Sequence, residues 1–348
     1  MIIDAKITGI KYTPLLCKNL KTYDINDLDL ALSKDSSFIL KVKKNNLPVS
    51  WWVSSKRTRS YPFARVYNTL GHVGKKITII PFVKDEGIDG DRDFIQWDTI
   101  SLMSLLDVNV IIAYYSEAEK NKKYQNKISN QKYDIEYLKK KIDEILSYKS
   151  SALHWNIEQL KNISTIAELS KKNYELISFK NSIKLHSTDE IDKRIEKIND
   201  SISIFMNESR KKAKAAQERE SITIQPKEYL SNGIKAQINI KNYLGGIYYL
   251  TSDEAMLEKN KIFIIEGKHS KNNVLPSLDD IKDGLLKMIL YVNLKDVEVE
   301  GKLFDPIPVL KLTSKNMYNY EILDKKKKII IDTLQQEAKI NNFVLKIE

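Results

Sequence analysis

The sequence predicts an α/β protein, and three observations carry that prediction. Short β-branched runs recur towards both ends of the chain, a strand–helix–strand unit is legible between residues 76 and 112, and a well-capped amphipathic helix follows Pro276. With 348 residues and 42% hydrophobic side chains, there is enough apolar surface for one large core or two ordinary ones.

Residues 1–115 form a first, α/β zone. Phe38-Ile39-Leu40-Lys41-Val42 nearly alternates, as a strand with one wet face does, whereas Lys76–Ile80 and Val108–Ile112 are continuous apolar runs that read as buried strands. Between these two, Thr99 is placed to cap a short helix bearing Leu102, Met103, Leu105 and Leu106. Residues 116–200 lack Pro and Gly, and Ile135, Leu138, Ile142, Ile145 and Leu146 recur at helical spacing. This spacing predicts a helical arm, an antiparallel hairpin with breaks near Ser150 and His186 and with solvated charged faces. Residues 201–348 return to α/β. A basic helix, Asn207–Ala216, precedes strand-like runs at Ile222–Ile224, Gln237–Leu244, Gly246–Leu250 and Lys261–Ile265. Ser277 then caps a helix, with Asp280 as its capping-box partner and Leu278, Ile281, Leu285, Met288, Ile289 and Val292 as its apolar stripe. Strands are expected again at Val297–Val299 and Val309–Leu312.

Composition narrows the chemistry. One cysteine, Cys17, excludes an internal disulfide and a cysteine-based zinc cluster, and the four scattered histidines show no ligand spacing. Any metal is therefore expected to be a hard cation such as Mg²⁺, held by carboxylates. No apolar stretch is long enough for a membrane span, and the N-terminal segment is interrupted by Asp4, unlike a secretory signal, so a cytoplasmic location is expected. The net charge of +11, from 57 basic and 46 acidic residues, favours polyanionic partners.

The chemistry-bearing stretch runs from Thr251 to His269. Thr251-Ser252-Asp253-Glu254-Ala255-Met256-Leu257 is followed by a polar turn and then by Ile262-Phe263-Ile264-Ile265-Glu266-Gly267-Lys268-His269. This reads as a hairpin whose second strand is apolar until it ends in a carboxylate, a glycine and a lysine. Glu266 and Lys268 are two apart and so share a face, and Asp253 on the paired strand can approach them. Paired carboxylates can hold Mg²⁺ beside a phosphate, and a lysine can stabilise the charge that develops on phosphorus. Gly267 lets the backbone approach closely, and its carbonyl is a further candidate metal ligand.

An acid on one strand followed by Glu-x-Lys on the next resembles the PD-(D/E)XK nuclease superfamily, in particular its type II restriction endonucleases. The resemblance implies a core of mixed β-sheet flanked by helices, within residues 201–348, with Asp253, Glu266 and Lys268 catalytic and Mg²⁺ as cofactor. Ser252 stands where the family has proline, and Glu254 follows at once, so Asp253 and Glu254 are both candidates, with Glu266, as metal ligands. The resemblance further implies cleavage of both strands of double-stranded DNA at a specific site, commonly by a homodimer, opposite a protective DNA methyltransferase. A non-catalytic nucleic-acid-binding protein, or a nuclease of repair or of a mobile element, would share much of this pattern.

The first zone holds two further candidates. Trp51 to Arg65 interleaves cations, hydroxyls and aromatics, and its Lys56, Arg57, Arg59 and Arg65 are candidate DNA contacts. Lys84 to Asp98 is dense in acids and glycines, and Asp89, Asp91 and Asp93 are a second-choice metal site, a base-reading loop or a turn cluster held by Asp–Arg pairs. An EF-hand is excluded because the sixth position is Phe94 and the twelfth Ile100. Gly246-Ile247-Tyr248 lacks the Tyr-Ile-Gly partner of GIY-YIG nucleases and reads as the start of a strand.

Overall fold

The computed structural model describes residues 1–57, 59–193, 210–211, 214–220, 234–315 and 318–348. The chain divides into two compact units, one of residues 20–209 and one that joins residues 1–19 to residues 210–348. The first strand, β1 (Ile2–Ile7), thus belongs with the C-terminal part, and the expected boundaries at 115 and 200 give way to boundaries at 19 and 209.

In the unit of residues 20–209, β2 (Thr22–Asp24), α1 (Leu28–Lys34), β3 (Ser37–Val42), β4 (Asn45–Trp51), α2 (Pro62–Leu70) and β5 (Lys76–Pro81) come first. A small ribbon of β6 (Val83–Asp85) and β7 (Arg92–Phe94) leads to α3 (Trp97–Leu105) and β8 (Val108–Ala113). The sheet order is β2-β3-β4-β5-β8, with β4, β5 and β8 mutually parallel. Every residue of β5 and of β8 is buried, as their continuous apolar runs require. The short helix starts two residues before Thr99, because Gln96 is already extended at its cap position and Trp97 and Ile100 are both drawn into the core.

Residues 116–200 do not form a separate arm. They begin with a ribbon of β9 (Tyr115–Lys120) and β10 (Ile128–Tyr133), then give α4 (Ile135–Ser147), α5 (Ala152–Lys161) and α6 (Ile163–Asn181). Leu138, Ile142 and Ile145 are buried as the periodicity predicts, and a break falls beside Ser150. A second break, at Asn162, was not legible. The helices close over the sheet: Trp155 Nε1 donates to the Val110 carbonyl at 2.7 Å, and Asn156 Oδ1 accepts from Val110 N–H at 2.7 Å.

The other unit contains β11 (Ile234–Asn242), β12 (Ile247–Glu258), β13 (Lys261–Ser270), α7 (Leu278–Tyr291), β14 (Lys295–Val299), β15 (Lys302–Ser314), α8 (Lys325–Asn341) and β16 (Val344–Ile347). Its sheet runs β13-β12-β11-β1-β14-β15-β16, and β15 also pairs with β13, so six strands close into a ring. The class is therefore mixed α/β, as expected, but closure was not. It is possible because β15 is 13 residues long and pairs first with β14 through Lys302–Phe304 and then with β13 through Asp305–Ser314. β11, β12 and β13 form an antiparallel meander, and β13 connects through α7 and β14 to β15, its parallel neighbour.

Ser277 caps α7, accepting from Asp280 N–H at 3.1 Å. Ile281, Leu285, Met288 and Ile289 are buried, while Leu278 at the first turn is exposed. Arg210, Lys211 and residues 214–220 are helical. The rest of the expected basic helix, Asn207–Ser209 with Lys212 and Ala213, and the strand at Ile222–Ile224 lie outside the described residues.

Candidate active site

The hairpin of β12 and β13 pairs residue for residue from Glu258↔Lys261 to Glu254↔Ile265. Directly opposed residues share a face and successive residues alternate. Glu254 stands with Ile265, and the register of β12 on β11 then shifts between Ala255 and Ser252, so Asp253 sits at a bulge beside Gly267, where it feels the charge of Glu266. The structure brings Asp253, Glu266 and Lys268 together and leaves Glu254, buried on the far side, out of the group. Beyond Glu254 a side chain takes over from the backbone ladder, as Asp253 Oδ2 accepts from Gly267 N–H at 2.7 Å.

β13 does not end at this point. It continues to Ser270, with Glu266, Gly267 and Lys268 paired to Leu310, Lys311 and Leu312 of β15. The site is thus set on rigid strand and not at a frayed strand end.

α7 brings a second set of charges to this face. Asp283, Lys287 and Tyr291 are spaced by four and so share one side of the helix. Lys268 Nζ lies 2.8 Å from Asp283 Oδ2 and 3.1 Å from Glu266 Oε1, while Lys287 Nζ lies 2.8 Å from Glu266 Oε2. Lys287 also donates to the Thr251 carbonyl at 3.4 Å. Gly284 allows this proximity. A Cβ there would stand 2.9 Å from Leu310 Cδ1 and 3.3 Å from Lys268 Cε, which explains a glycine inside a helix at a typical cost of ~1 kcal/mol.

Glu266 is 1% exposed, so the cluster sits in a medium where charge is costly. Burial, and then the negative charge of Glu266, push Asp253 up to about 7 against the opposing pull of Lys287 and Lys268. Burial is the largest single effect and would lower Lys268 and Lys287. The carboxylates together outweigh it, Glu266 and Asp283 at Lys268 and Glu266, Asp253, Glu220 and Asp283 at Lys287, and hold both above the ordinary lysine value. Residues 214–220 add Glu220, whose charge is felt at both Lys287 and Tyr291. This helix is seated by Gln217, whose Nε2 donates to the carbonyls of Ile238 at 3.1 Å and Leu250 at 2.8 Å.

One polar atom here is unsatisfied. Tyr291 is fully buried, and its hydroxyl has no hydrogen-bond partner among the described residues. Buried hydroxyls are almost always paired, so this one is open to a partner that the described residues do not supply. Burial and then Glu266 and Asp253 hold this phenol far above its ordinary value, so it remains a neutral donor. Among the described residues no three Asp, Glu, His or Cys side chains gather as a metal cage. Two carboxylates suffice for Mg²⁺, which typically keeps several waters and takes only one or two protein carboxylates. Asp253, Glu266 and the open Tyr291 hydroxyl fit such an ion.

Sequence reasoning missed Lys287, Asp283 and Tyr291. Their spacing of four was visible, but nothing in the sequence showed that α7 turns this polar side inward as well as its apolar stripe.

The N-terminal candidates fare differently. Lys56 is exposed and Arg57 partly so. Arg65 is held inside: Nε donates to the Ser60 carbonyl and Nη1 to the Trp51 carbonyl, each at 2.9 Å, with the guanidinium 4.6 Å from the centre of the Trp51 ring. Arg59 pairs with Glu86 at 2.6 Å, with Asp93 at 3.2 Å and with Asp91. Asp93 also accepts from Ser54 Oγ at 2.7 Å, and Asp89 accepts from Asn126 N–H at 2.8 Å. Of the three roles open to the acidic stretch, the Asp–Arg turn cluster is the one this geometry displays.

No protein-family model matches the chain, and no curated protein or solved structure is similar to it. Among the described residues no helix is long and apolar enough to cross a membrane.

Proposed function

We propose that this protein is a Mg²⁺-dependent endonuclease that hydrolyses phosphodiester bonds of double-stranded DNA at specific sites, in the manner of a type II restriction enzyme. One observation carries the proposal: Glu266 and Lys268 share a face of β13, 3.1 Å apart, and Asp253 of the adjacent strand is tied to Gly267 N–H between them and feels both charges. Topology is consistent with it. The antiparallel meander, the helix after it and, beyond β14, a strand parallel to the third meander strand are compatible with the mixed-sheet core of the PD-(D/E)XK superfamily, here set within a closed ring of six strands. The net charge of +11 is consistent with a phosphate-rich substrate.

In this proposal Asp253 and Glu266 hold the cation. When bound, Mg²⁺ supplies an activated water and offsets charge on the scissile phosphate. Lys268 places its ammonium beside the phosphate and stabilises the charge that develops there, while Asp283 fixes the direction of the lysine. The Tyr291 hydroxyl offers a donor from the buried side. Residues 20–209, with exposed Lys56, are proposed to contribute to DNA contact. Action as a homodimer, and pairing with a DNA methyltransferase, are extensions of the same resemblance.

The test is digestion of plasmid and phage DNA in Mg²⁺ by the purified protein beside Glu266→Ala and Lys268→Ala. Discrete fragments from the wild type alone are expected. Equal cleavage by all three proteins would move the chemistry elsewhere. Salt-sensitive DNA binding without cleavage by any of them would replace the proposal with a non-catalytic DNA-binding role.

A further inference from the structure

We propose that Lys287 is a built-in counter-cation of the carboxylate pair, and that a divalent cation binds this site by displacing its ammonium from Glu266. The inference rests on the reading of the hairpin as a metal site and adds a residue that the Glu-x-Lys pattern does not contain.

Three features of the geometry support it. First, the two oxygens of Glu266 are both engaged by ammonium groups, Lys268 at Oε1 and Lys287 at Oε2. A metal that uses Glu266 must therefore compete with a lysine. Second, the two lysines differ in what else holds them. Lys268 has a second carboxylate in direct contact, Asp283 at 2.8 Å, whereas the further hydrogen bond of Lys287 among the described residues goes to the Thr251 carbonyl at 3.4 Å. Third, Lys287 senses both members of the pair, with Glu266 the stronger charge and Asp253 the next. It stands where the field of the two carboxylates draws a cation.

A single ammonium balances only part of this field. Three carboxylates, Asp253, Glu266 and Asp283, share two ammonium groups, Lys268 and Lys287, with Glu220 also acting on Lys287, and a proton on Asp253 completes the balance without a cation. A divalent ion can take the place of that proton and of Lys287 at the pair, and the long aliphatic stem of a lysine allows its ammonium to withdraw without moving α7. Until a cation arrives, Lys287 and that proton keep the two buried carboxyls from standing uncompensated.

The experiment is isothermal titration of the full-length protein with Mn²⁺ and, separately, Ca²⁺, without DNA. Wild type is compared with Lys287→Met, Lys287→Gln and Lys287→Arg. Removal of the competing charge is expected to tighten binding by about tenfold or more in the Met and Gln variants. The Arg variant, which keeps the charge, is expected to bind no more tightly than wild type. Because the Met variant loses an internal counter-charge, its melting temperature should be low without cation and rise further on cation addition than that of wild type.

Unchanged or weaker binding in both neutral variants, with wild type binding normally, would overturn the role of Lys287 alone. Aggregation of both neutral variants with Ca²⁺ as well as without it would also overturn that role, since the cation would then be no substitute for the ammonium. Absence of Mn²⁺ binding in wild type and variants alike would overturn the metal-site reading itself.

Discussion

Two clusters of buried charge, one in each unit, invite comparison. Around Arg59, three carboxylates (Glu86, Asp91 and Asp93) meet three cations, since Lys84 and Lys127 also pair with Glu86 at 3.1 Å. Around Glu266, three carboxylates (Asp253, Glu266 and Asp283) meet only two, Lys268 and Lys287. The first cluster is balanced and lies largely on loops and a short ribbon. The second has one carboxyl more than it has ammonium groups, with burial favouring a proton on Asp253, is mounted on long strands and a helix, and leaves a tyrosine hydroxyl unpaired among the described residues. Balance is what a structural network needs, because an uncompensated buried charge is expensive. An extra carboxyl held on rigid elements is what a cation site needs, because a ligand can then take the place of the proton.

Substitutions can break or sharpen this contrast. The largest effect is expected from Glu266→Gln, which should lower DNA cleavage by about a thousandfold or more, read in a plasmid nicking assay. Asp93→Asn in the balanced cluster should leave the cleavage rate of the folded enzyme within about twofold, so an equal loss in both variants would erase the distinction. Next comes Arg59→Met, which removes the cation beside largely buried Asp93, while Glu86 keeps Lys84 and Lys127 and Asp91 is exposed. It should destabilise its unit by roughly 1–2 kcal/mol, visible as a melting temperature lower by about 2–8 °C.

A comparable effect concerns pH. Burial alone would raise Glu86, but Lys84, Lys127 and Arg59 outweigh it and hold the carboxyl at about 2, below its ordinary value of 4.5. The native state thus favours the charged form, and the stabilisation is complete above about pH 4.5 and is lost as pH falls towards 2. After allowance for solvent screening it should amount to about 1–2 kcal/mol. Thermal melts of wild type and Glu86→Gln should therefore differ at pH 6 and draw together as pH falls through 2; a gap as wide at about pH 2 as at pH 6 would disprove this assignment. Gly284→Ala is expected to be mildest. A Cβ against Leu310 and Lys268 should displace the ammonium by a fraction of an ångström and lower cleavage by about tenfold while the circular dichroism spectrum is unchanged.

The sequence made some of this legible and hid the rest for definable reasons. Buried strands at residues 76–81 and 108–113 were readable because continuous apolar runs have few other solutions, and Ser277 announced α7 because its cap chemistry is local. The shared face of Glu266 and Lys268 was readable from strand alternation, whereas the place of Asp253, at a bulge in β12, was not. Nor was Lys287, since its role depends on how far α7 approaches β13, a distance set by Gly284 and Leu310 and recorded in no local pattern. The fate of Arg59 and Arg65 was hidden for a similar reason. A basic segment looks the same in sequence whether its guanidinium groups meet solvent or fold back on carboxylates and carbonyls.

The closed ring of strands also imposes an order of events during synthesis. β1 leaves the ribosome first, yet its two neighbours, β11 and β14, are encoded more than two hundred residues later. The chain from Leu20 to Ser209 can collapse on contacts of its own while β1 waits without a partner. Closure of so large a loop is slow in folding terms, and the carboxylate hairpin is assembled only after the intervening unit has been made. On the proposed nuclease reading, the chain would be inert until this ring has closed.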